Sequence, residues 1–146
     1  MITYYDTGVI LKLYTNEPES EAVRHFVVDR NEPLYLNSLH RSEFVSAFRL
    51  KVFRKELTTS AATNSINDME DDISNGIIRL VEVDWDLTWR LCRQFADSGS
   101  TTTGCRTLDS LHIACARSQA TRTIVTRDKR QARLAKKIGM QVLAPG

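Results

Sequence analysis

The chain has 146 residues and a mass of 16.6 kDa, which predicts a single domain over residues 1–146. Its 42% hydrophobic and 26% charged residues are typical of a folded globular chain and exclude extensive disorder. A net charge of +2 neither requires nor excludes a polyanionic partner. No apolar run approaches the roughly 18 residues of a membrane span, and Asp6 interrupts the N-terminal apolar run too early for a secretory signal. We therefore expect a cytoplasmic protein with no membrane contact.

Hydrophobic periodicity and turn residues predict alternating strands and helices along the chain. The first half should contain a strand at 2–5, helices at 9–14 and 19–29, a strand at 34–36, and a helix at 39–55 that Ser38 caps. A helix capped by Thr58 or Thr59 and ending near 73 should follow, then a strand at 77–83 and a helix at 85–97. The remainder should be a mobile polar loop at 98–104, a helix at 108–118 capped by Thr107, a strand at 123–126, a helix at 129–138 and a strand at 140–143.

This order predicts an α/β fold with a mostly parallel sheet. Ligands of such folds bind beyond the carboxyl ends of the strands. Asp6 and Asp128 each lie just past a predicted strand end. Three cysteines without a C-x-x-C pair indicate reduced, buried thiols rather than a disulfide framework or a zinc site.

Four acids stand at positions where burial is expected, namely Asp6, Glu43, Asp109 and Asp128. Each has an ordinary structural interpretation. The three aspartates can cap or begin helices, and Glu43 can reach water from the edge of its apolar stripe or pair with Arg41 or Arg49. A parallel sheet would nevertheless bring these acids together, and clustered carboxylates are costly to bury without a cation. Hard oxygen ligands suit Mg²⁺ or Mn²⁺, so the pattern favours metal-dependent chemistry on a phosphate.

Several segments resemble one protein family. Residues 5–14 (YDTGVILKLY) resemble the opening of PIN-domain proteins, especially VapC-type toxins of bacterial toxin–antitoxin pairs. Residues 104–116 (GCRTLDSLHIACA) and 126–135 (TRDKRQARLA) resemble the third and fourth acidic motifs of that family, and Glu43 within SEFVSA (42–47) matches the second acid. The resemblance runs from Tyr5 to about Val142.

The resemblance implies a PIN-like three-layer sandwich, with a mostly parallel central sheet flanked by helices. It also implies a Mg²⁺- or Mn²⁺-dependent endoribonuclease, a cognate antitoxin as partner and a homodimer. Asp6 and Asp109 would be the principal metal ligands, and Glu43 and Asp128 would complete the shell or orient metal-bound water. The family usually has a small hydroxyl residue where this chain has Gly8, so Thr7 or water would have to compensate.

Other residues are expected to support this chemistry. Thr126 offers a hydroxyl to a carboxylate or to metal-bound water, and His112, three residues after Asp109, is a candidate member of the surrounding shell although lone histidines are more often structural. The RNA substrate would need cations beside the acids, and the candidates are Arg106, Arg127, Lys129 and Arg130. Arg133, Lys136 and Lys137 extend this basic segment, which is equally typical of a solvated helix face.

Three alternative functions stay open. A catalytically silent PIN-fold module could use its acids to hold arginines of a partner. A nuclease of the same design could act on DNA. A phosphatase or other phosphohydrolase with Asp6 as nucleophile is less favoured, because such sites usually carry a second acid two residues later and this chain has Gly8 there.

Overall fold

The computed structural model describes residues 3–146. Among these residues the strands are β1 (Tyr4–Tyr5), β2 (Leu34–Leu36), β3 (Ile78–Leu80), β4 (Thr123–Val125) and β5 (Gln141–Leu143). The helices of the same residues are α1 (Thr7–Lys12), α2 (Ser20–Arg30), α3 (Ser38–Phe53), α4 (Thr59–Ser74), α5 (Trp85–Thr103), α6 (Thr107–Ser118) and α7 (Lys129–Lys137). None of the helices in this part of the chain is both long and apolar enough to cross a membrane.

The chain folds as two compact units. The first unit combines the N-terminal residues through Val9 with residues 83–146, and the second unit comprises residues 10–82. The predicted domain boundary of 1–146 therefore stays a prediction.

The first unit is built on a parallel sheet. Its strand order is β1-β4-β5, with Tyr5 opposite Val125 and Val125 opposite Leu143. Helices α5, α6 and α7 pack with one another in this unit, and α6 is its most buried helix, with Ile113 at 0% exposure. Parallel strands with helical connections are expected to be apolar on both faces, which the buried pair Ile124 and Val125 illustrates.

The second unit has its own parallel pair, β2 with β3, in which Leu36 lies opposite Leu80. Its core combines aliphatic residues with two phenylalanines. The rings of Phe44 and Phe48, one turn apart on α3, lie 4.8 Å apart between centroids and are fully buried. Helices α3 and α4 pack together in this unit, and the buried face of α3 carries His40, Phe44 and Phe48.

The α/β class and the parallel pairing are confirmed, since every strand pair in residues 3–146 is parallel. Most predicted elements also stand close to their predicted positions. The strand predicted at 77–83 is shorter, because only Ile78–Leu80 pairs with β2. Residue 2 of the first predicted strand lies outside the described residues.

The predicted loop at 98–104 is wrong, because α5 continues to Thr103 and ends at Gly104 in a left-handed conformation, with φ of 72°. Buried positions recur at Phe95, Gly99 and Thr103, so the apolar face of the helix extends through the polar sequence. The Thr103 hydroxyl donates to the Gly99 carbonyl at 2.8 Å, so this buried polar group has a hydrogen-bond partner.

Two predicted helix caps are also displaced by one residue. The α3 cap is Asn37, whose side chain accepts from the backbone N–H groups of Leu39 at 2.9 Å and His40 at 3.2 Å. His40 Nδ1 in turn accepts from the Asn37 N–H at 3.1 Å, which satisfies both ends of a capping box. At α6 the cap position belongs to Arg106 rather than Thr107. Thr58 caps α4 as predicted.

Candidate active site

Asp6 follows β1 directly and is 8% exposed. Its backbone N–H donates to the Val125 carbonyl at 3.0 Å, which continues the pairing of β1 with β4 by one residue. Its Oδ1 accepts from the Val9 N–H at 2.8 Å, which satisfies a donor in the first turn of α1. Its Oδ2 accepts from the Thr126 hydroxyl at 2.5 Å. Both carboxylate oxygens are therefore oriented by the protein.

The surroundings of Asp6 raise its pKa above the ordinary carboxyl value. Burial is the largest cause, because a carboxylate loses hydration in the interior. The hydrogen bonds from Thr126 and Val9 and the nearby His112 lower the pKa, and the charge of Asp128 raises it further. A cation placed beside Asp6 and Asp128 would offset both of the causes that disfavour the charged form.

Thr126 links two of the predicted acids. It lies just after β4, is 1% exposed, and accepts from the Asp128 N–H at 3.1 Å while it donates to Asp6. Asp128 Oδ1 accepts from the N–H groups of Arg130 at 2.8 Å and Gln131 at 3.0 Å, so Asp128 caps α7. The structural interpretation of Asp128 is therefore correct, and it leaves the second carboxylate oxygen, Oδ2, for a further ligand.

Asp109 occupies the first turn of α6 and is half-buried. Its Oδ2 accepts from the Arg106 N–H at 3.1 Å, so it too serves a helix start. Its backbone carbonyl accepts from Gln131 Nε2 at 3.3 Å, which ties α6 to α7. Burial first, and then the charges of Asp109 and Asp128, raise the pKa of the Cys105 thiol. Both acids therefore lie close to this one cysteine.

His112 is buried and hydrogen-bonds to residues of β1 and α1. It is 4% exposed, its Nδ1 hydrogen-bonds the Tyr4 hydroxyl at 2.6 Å, and its Nε2 is 3.3 Å from the Thr7 hydroxyl oxygen. The Tyr4 and His112 rings also meet edge to face, with centroids 5.7 Å apart. Thr7, predicted as a supporting residue, therefore contacts His112 in this structure. The signal available in the sequence was the spacing of His112 three residues after Asp109 on one helix.

Glu43 lies on α3 in the second unit and is half-buried. Its membership of the acidic cluster stays a prediction. Of the two arginines considered as its partners, Arg41 forms an ion pair with Glu70 at 2.7 Å and Arg49 donates to the Thr63 hydroxyl at 3.0 Å.

The predicted RNA-binding cations are all exposed, but their surroundings differ. Arg106 precedes α6, and Lys129 begins α7. Arg130 lies along the α5–α6 turn, where its Nε is 3.9 Å from the position that a Cβ on Gly104 would occupy. The Arg127 guanidinium donates to the Pro145 carbonyl at 2.6 Å, so part of its hydrogen-bonding capacity is already used.

The donor set suits a hard divalent cation, because Asp6, Asp109 and Asp128 offer carboxylate oxygens and the charge of Asp128 opposes ionisation of Asp6. In residues 3–146, however, no group of three or more His, Cys, Asp or Glu side chains is arranged to hold a metal ion. Each of the three aspartates uses one oxygen for a backbone N–H near a helix start. The chemistry of the donors thus fits Mg²⁺ or Mn²⁺, while their arrangement is that of helix caps.

Three solved structures are similar in fold to this chain. FitAB bound to an IR36 DNA fragment has a chain with a TM-score of 0.70 and 21% identity, over 99% of this chain and 95% of that chain. FitAcB from Neisseria gonorrhoeae gives 0.64 and 19%, over 97% and 96%. VapBC2 from Rickettsia felis, bound to a DNA fragment from its promoter, gives 0.64 and 11%, over 100% of both chains. At these identities the likeness shows the fold.

The family of the chain is identified from its sequence. No curated protein matches the chain in a direct sequence comparison. The family model of the PIN domain matches residues 3–137, which include all four predicted acids and parts of both units. The chain therefore belongs to the PIN domain family.

Proposed function

We propose that this protein is a Mg²⁺- or Mn²⁺-dependent endoribonuclease and the VapC-type toxin of a type II toxin–antitoxin pair. The observation that carries the proposal is the linkage of Asp6, Thr126 and Asp128 at the carboxyl ends of β1 and β4, in a chain of the PIN domain family. Asp109 lies in the first turn of the helix that also carries His112, and His112 is near enough to Asp6 to affect its ionisation.

In this proposal Asp6 and Asp109 are the principal metal ligands. Asp128 and Glu43 complete the shell or orient the attacking water. A bound divalent ion would supply a water of lowered pKa and would offset charge that develops on the scissile phosphate. Thr126 fixes the orientation of the Asp6 carboxylate through its hydroxyl, and it fixes the start of α7 through the Asp128 N–H.

The remaining side chains act on position and charge. Arg106, Lys129 and Arg130 would hold phosphates of the RNA strand beside the acids. His112, held between Tyr4 and Thr7, limits the movement of α6 relative to β1. In this proposal Thr7 contacts His112 and supports the site indirectly, whereas the resemblance implied that it would contribute to the metal shell itself.

The partners proposed are RNA as substrate, a cognate antitoxin and a second copy of the chain, in the cytoplasm. Support for the antitoxin comes from the structural neighbour VapBC2, because the sequence of this chain resembles VapC-type toxins of toxin–antitoxin pairs. The whole of residues 1–146 would act as one PIN-like domain, because one family model spans parts of both units.

A DNA-directed nuclease is the second candidate, favoured by the DNA fragments present in two of the neighbouring complexes. The silent binding module is the third, because the three aspartates already serve as helix caps. Cleavage assays separate these candidates from the principal proposal.

The test is cleavage of labelled RNA and DNA of equal length by antitoxin-free protein, with Mg²⁺, Mn²⁺ or EDTA. Asp109→Asn keeps an oxygen for the Arg106 N–H but removes the charge, and Asp97→Asn removes a charge from an exposed position on α5. We expect metal-dependent RNA cleavage by wild type and Asp97→Asn, and none by Asp109→Asn. Equal cleavage by all three proteins would refute the site. Cleavage of DNA alone would support the second candidate.

A further inference from the structure

Positive charge is concentrated in one segment of the first unit. Residues 117–137 contain a single acid, Asp128, and eight basic residues, which are Arg117, Arg122, Arg127, Lys129, Arg130, Arg133, Lys136 and Lys137. The net charge of the whole chain is only +2. This segment therefore has a strongly positive local field that the total charge conceals.

The cations of α7 form no ion pairs within the part of the chain that the structure describes. Ion pairs of the second unit use Lys12, Arg30, Arg41 or Lys51, and none of these pairs involves a residue of α7. Lys137 on α7 instead donates to the Ser98 carbonyl at 2.9 Å and to the Thr102 hydroxyl at 3.1 Å, which holds it against α5. The charge of α7 is therefore not neutralised by acidic side chains of its own unit.

The charge pattern of α7 disfavours the isolated helix. Arg133 stands four residues after Lys129 and three before Lys136, and like charges at these spacings repel by about 0.2–0.5 kcal/mol per pair. Lys129 and Arg130 occupy the first turn, where the helix dipole opposes cations. The dipole favours only the basic residues of the last turn. A polyanion bound along the helix would offset both unfavourable effects.

The basic residues of α7 lie along a helix that leads away from the candidate site. Helix α7 begins at Asp128, within the candidate site, and buries Gln131, Leu134 and Ala135 on its other face. Its nine residues extend about 13 Å. This length corresponds to about four nucleotides of a stacked strand at roughly 3.4 Å each.

The far end of α7 borders a second basic feature. A depression with a volume of about 910 Å³ is formed there by Arg117 near the end of α6 and by residues that follow α6 and α7, and none of its described lining residues is an acid. Its lining includes Arg117, Arg122, Ile138, Gly139 and Met140. Arg117 Nη1 donates to the Ile138 carbonyl at 3.3 Å, whereas Arg122 is exposed just before β4.

We propose that the exposed face of α7 (Lys129, Arg130, Arg133 and Lys136), together with Arg122 beyond it, binds the phosphates of a single RNA strand that flank the cleaved one. We call this set the α7 basic surface. The identity of the strand as RNA substrate rests on the proposed function, whereas the binding of phosphates rests on the charges alone. These contacts read no bases, so the surface contributes affinity and strand direction but no sequence preference.

The test compares two double variants with the same spacing. Arg133→Gln/Lys136→Gln removes two cations from α7, and Arg90→Gln/Arg93→Gln removes two exposed cations from α5. The α5 pair is the matched control, because Asp86 and Asp97 stand four residues before Arg90 and four after Arg93 on the same helix. All proteins carry Asp109→Asn so that binding is measured without cleavage. The probes are fluorescent RNA and DNA strands of equal length.

Affinity is measured by anisotropy from 50 to 200 mM salt. The α7 pair should weaken RNA binding and reduce the slope of log affinity against log salt by about 1.4, because each phosphate contact on a single strand contributes about 0.7. Arg122→Gln alone should reduce the slope by about 0.7, and the control pair should leave the slope unchanged. Equal losses in the α7 and control pairs would overturn the proposal.

Two further results bear on the ligand class. Failure of a poly-glutamate peptide at equal charge to displace RNA, with no loss of peptide binding in the α7 pair, supports the proposal. Binding of the peptide but not of RNA would overturn it and assign the surface to an acidic protein segment. Binding of RNA with the predicted slopes, together with no cleavage by the protein that retains Asp109, would refute the proposed function while leaving the proposal for the α7 basic surface intact.

Discussion

The Thr126 hydroxyl gives the most specific prediction about the site, because it donates to a carboxylate that the fold otherwise disfavours. Thr126→Val keeps the shape of the side chain and removes its hydrogen bonds to Asp6 and Asp128. A hydrogen bond to a charged group contributes about 1.5–3 kcal/mol to folding, against about 0.5–1.5 kcal/mol for a neutral pair. We therefore expect the variant to lose about 2–3 kcal/mol of unfolding free energy at pH 8.

The sign of the pH dependence follows from the pKa of Asp6. The Thr126 bond lowers this pKa, since it favours the charged carboxylate. Removal of the bond therefore has its full effect where Asp6 is ionised, and a smaller effect below the folded-state pKa, where Asp6 is protonated with or without the hydroxyl. The loss should decrease to about 1 kcal/mol in acid, which is the contribution of a neutral bond.

Thr88→Val is the matched control. Thr88 is also fully buried in the first unit, and its hydroxyl donates to the Ser118 hydroxyl at 3.0 Å, with no charged group involved. Urea unfolding from pH 4 to 8 should give a pH-independent loss of about 1 kcal/mol for this variant. Equal and pH-independent losses for the two variants would refute the reasoning, as would a pH dependence of Thr126→Val that persists in an Asp6→Asn background.

For three other substitutions, the described contacts determine whether stability rises or falls. Because burial raises the pKa of Asp6, ionisation of Asp6 reduces the free energy of unfolding as pH rises through the folded-state pKa. Asp6→Asn should therefore be more stable than wild type at pH 8 in urea unfolding, by about 1.4 kcal/mol for each unit by which the pKa is raised. Lower stability of the variant would contradict this reasoning. A Cβ on Gly8 would lie 3.5 Å from Asp6 Oδ1, which is an ordinary contact, so Gly8→Ala should stabilise α1 by up to about 1 kcal/mol. Only Gly8→Ser should also tighten Mn²⁺ binding in calorimetry. Equal Mn²⁺ affinities of the two variants would contradict a role for the hydroxyl. A Cβ on Gly99 would lie 2.4 Å from Leu134 Cδ1, so Gly99→Ala should lower the free energy of unfolding of the wild type by about 1–3 kcal/mol. In a Leu134→Ala protein the same substitution should raise it by about 1 kcal/mol. Additive effects of the two substitutions would indicate that the residues do not pack as described.

Local signals in the sequence were sufficient for much of the fold. The strand at residues 34–36 and the helix after Asp128 were predicted from hydrophobic periodicity and capping residues, and both stand where expected. Such signals depend on neighbours within about four residues, so they survive without tertiary information. The cap of α3 moved by one residue because Asn37 has both His40 and Leu39 within reach, and Ser38 was an equally good cap on sequence alone.

The end of α5 is the clearest failure of local signals. A run of Ser, Thr and Gly predicts a loop by composition, yet the helix continues through it. The cause is tertiary. Gly99 lets Leu134 approach closely, and Lys137 binds the Ser98 carbonyl and the Thr102 hydroxyl, so α7 holds these turns in place.

The candidate residues could be named one at a time from the sequence, but the hydrogen bonds that join them could not. Strand ends and helix starts indicated Asp6, Asp109 and Asp128 individually. The bond from Thr126 to Asp6 joins residues 120 apart in sequence, and the bond from His112 to Tyr4 joins residues 108 apart. No pattern in a single sequence encodes such pairs, so the partners of His112 and of Asp6 emerged only from the structure.

The most direct test of a shared metal site is Mn²⁺ binding by the antitoxin-free protein, measured by calorimetry. Wild type is compared with Asp6→Asn, Asp109→Asn and Asp128→Asn, and with Asp97→Asn as a control for charge. We predict saturable binding by wild type and the control, and an affinity at least about tenfold lower in each of the three site variants, equivalent to about 1.4 kcal/mol. Undiminished Mn²⁺ affinity in the three site variants would contradict the central claim that these aspartates hold one metal ion.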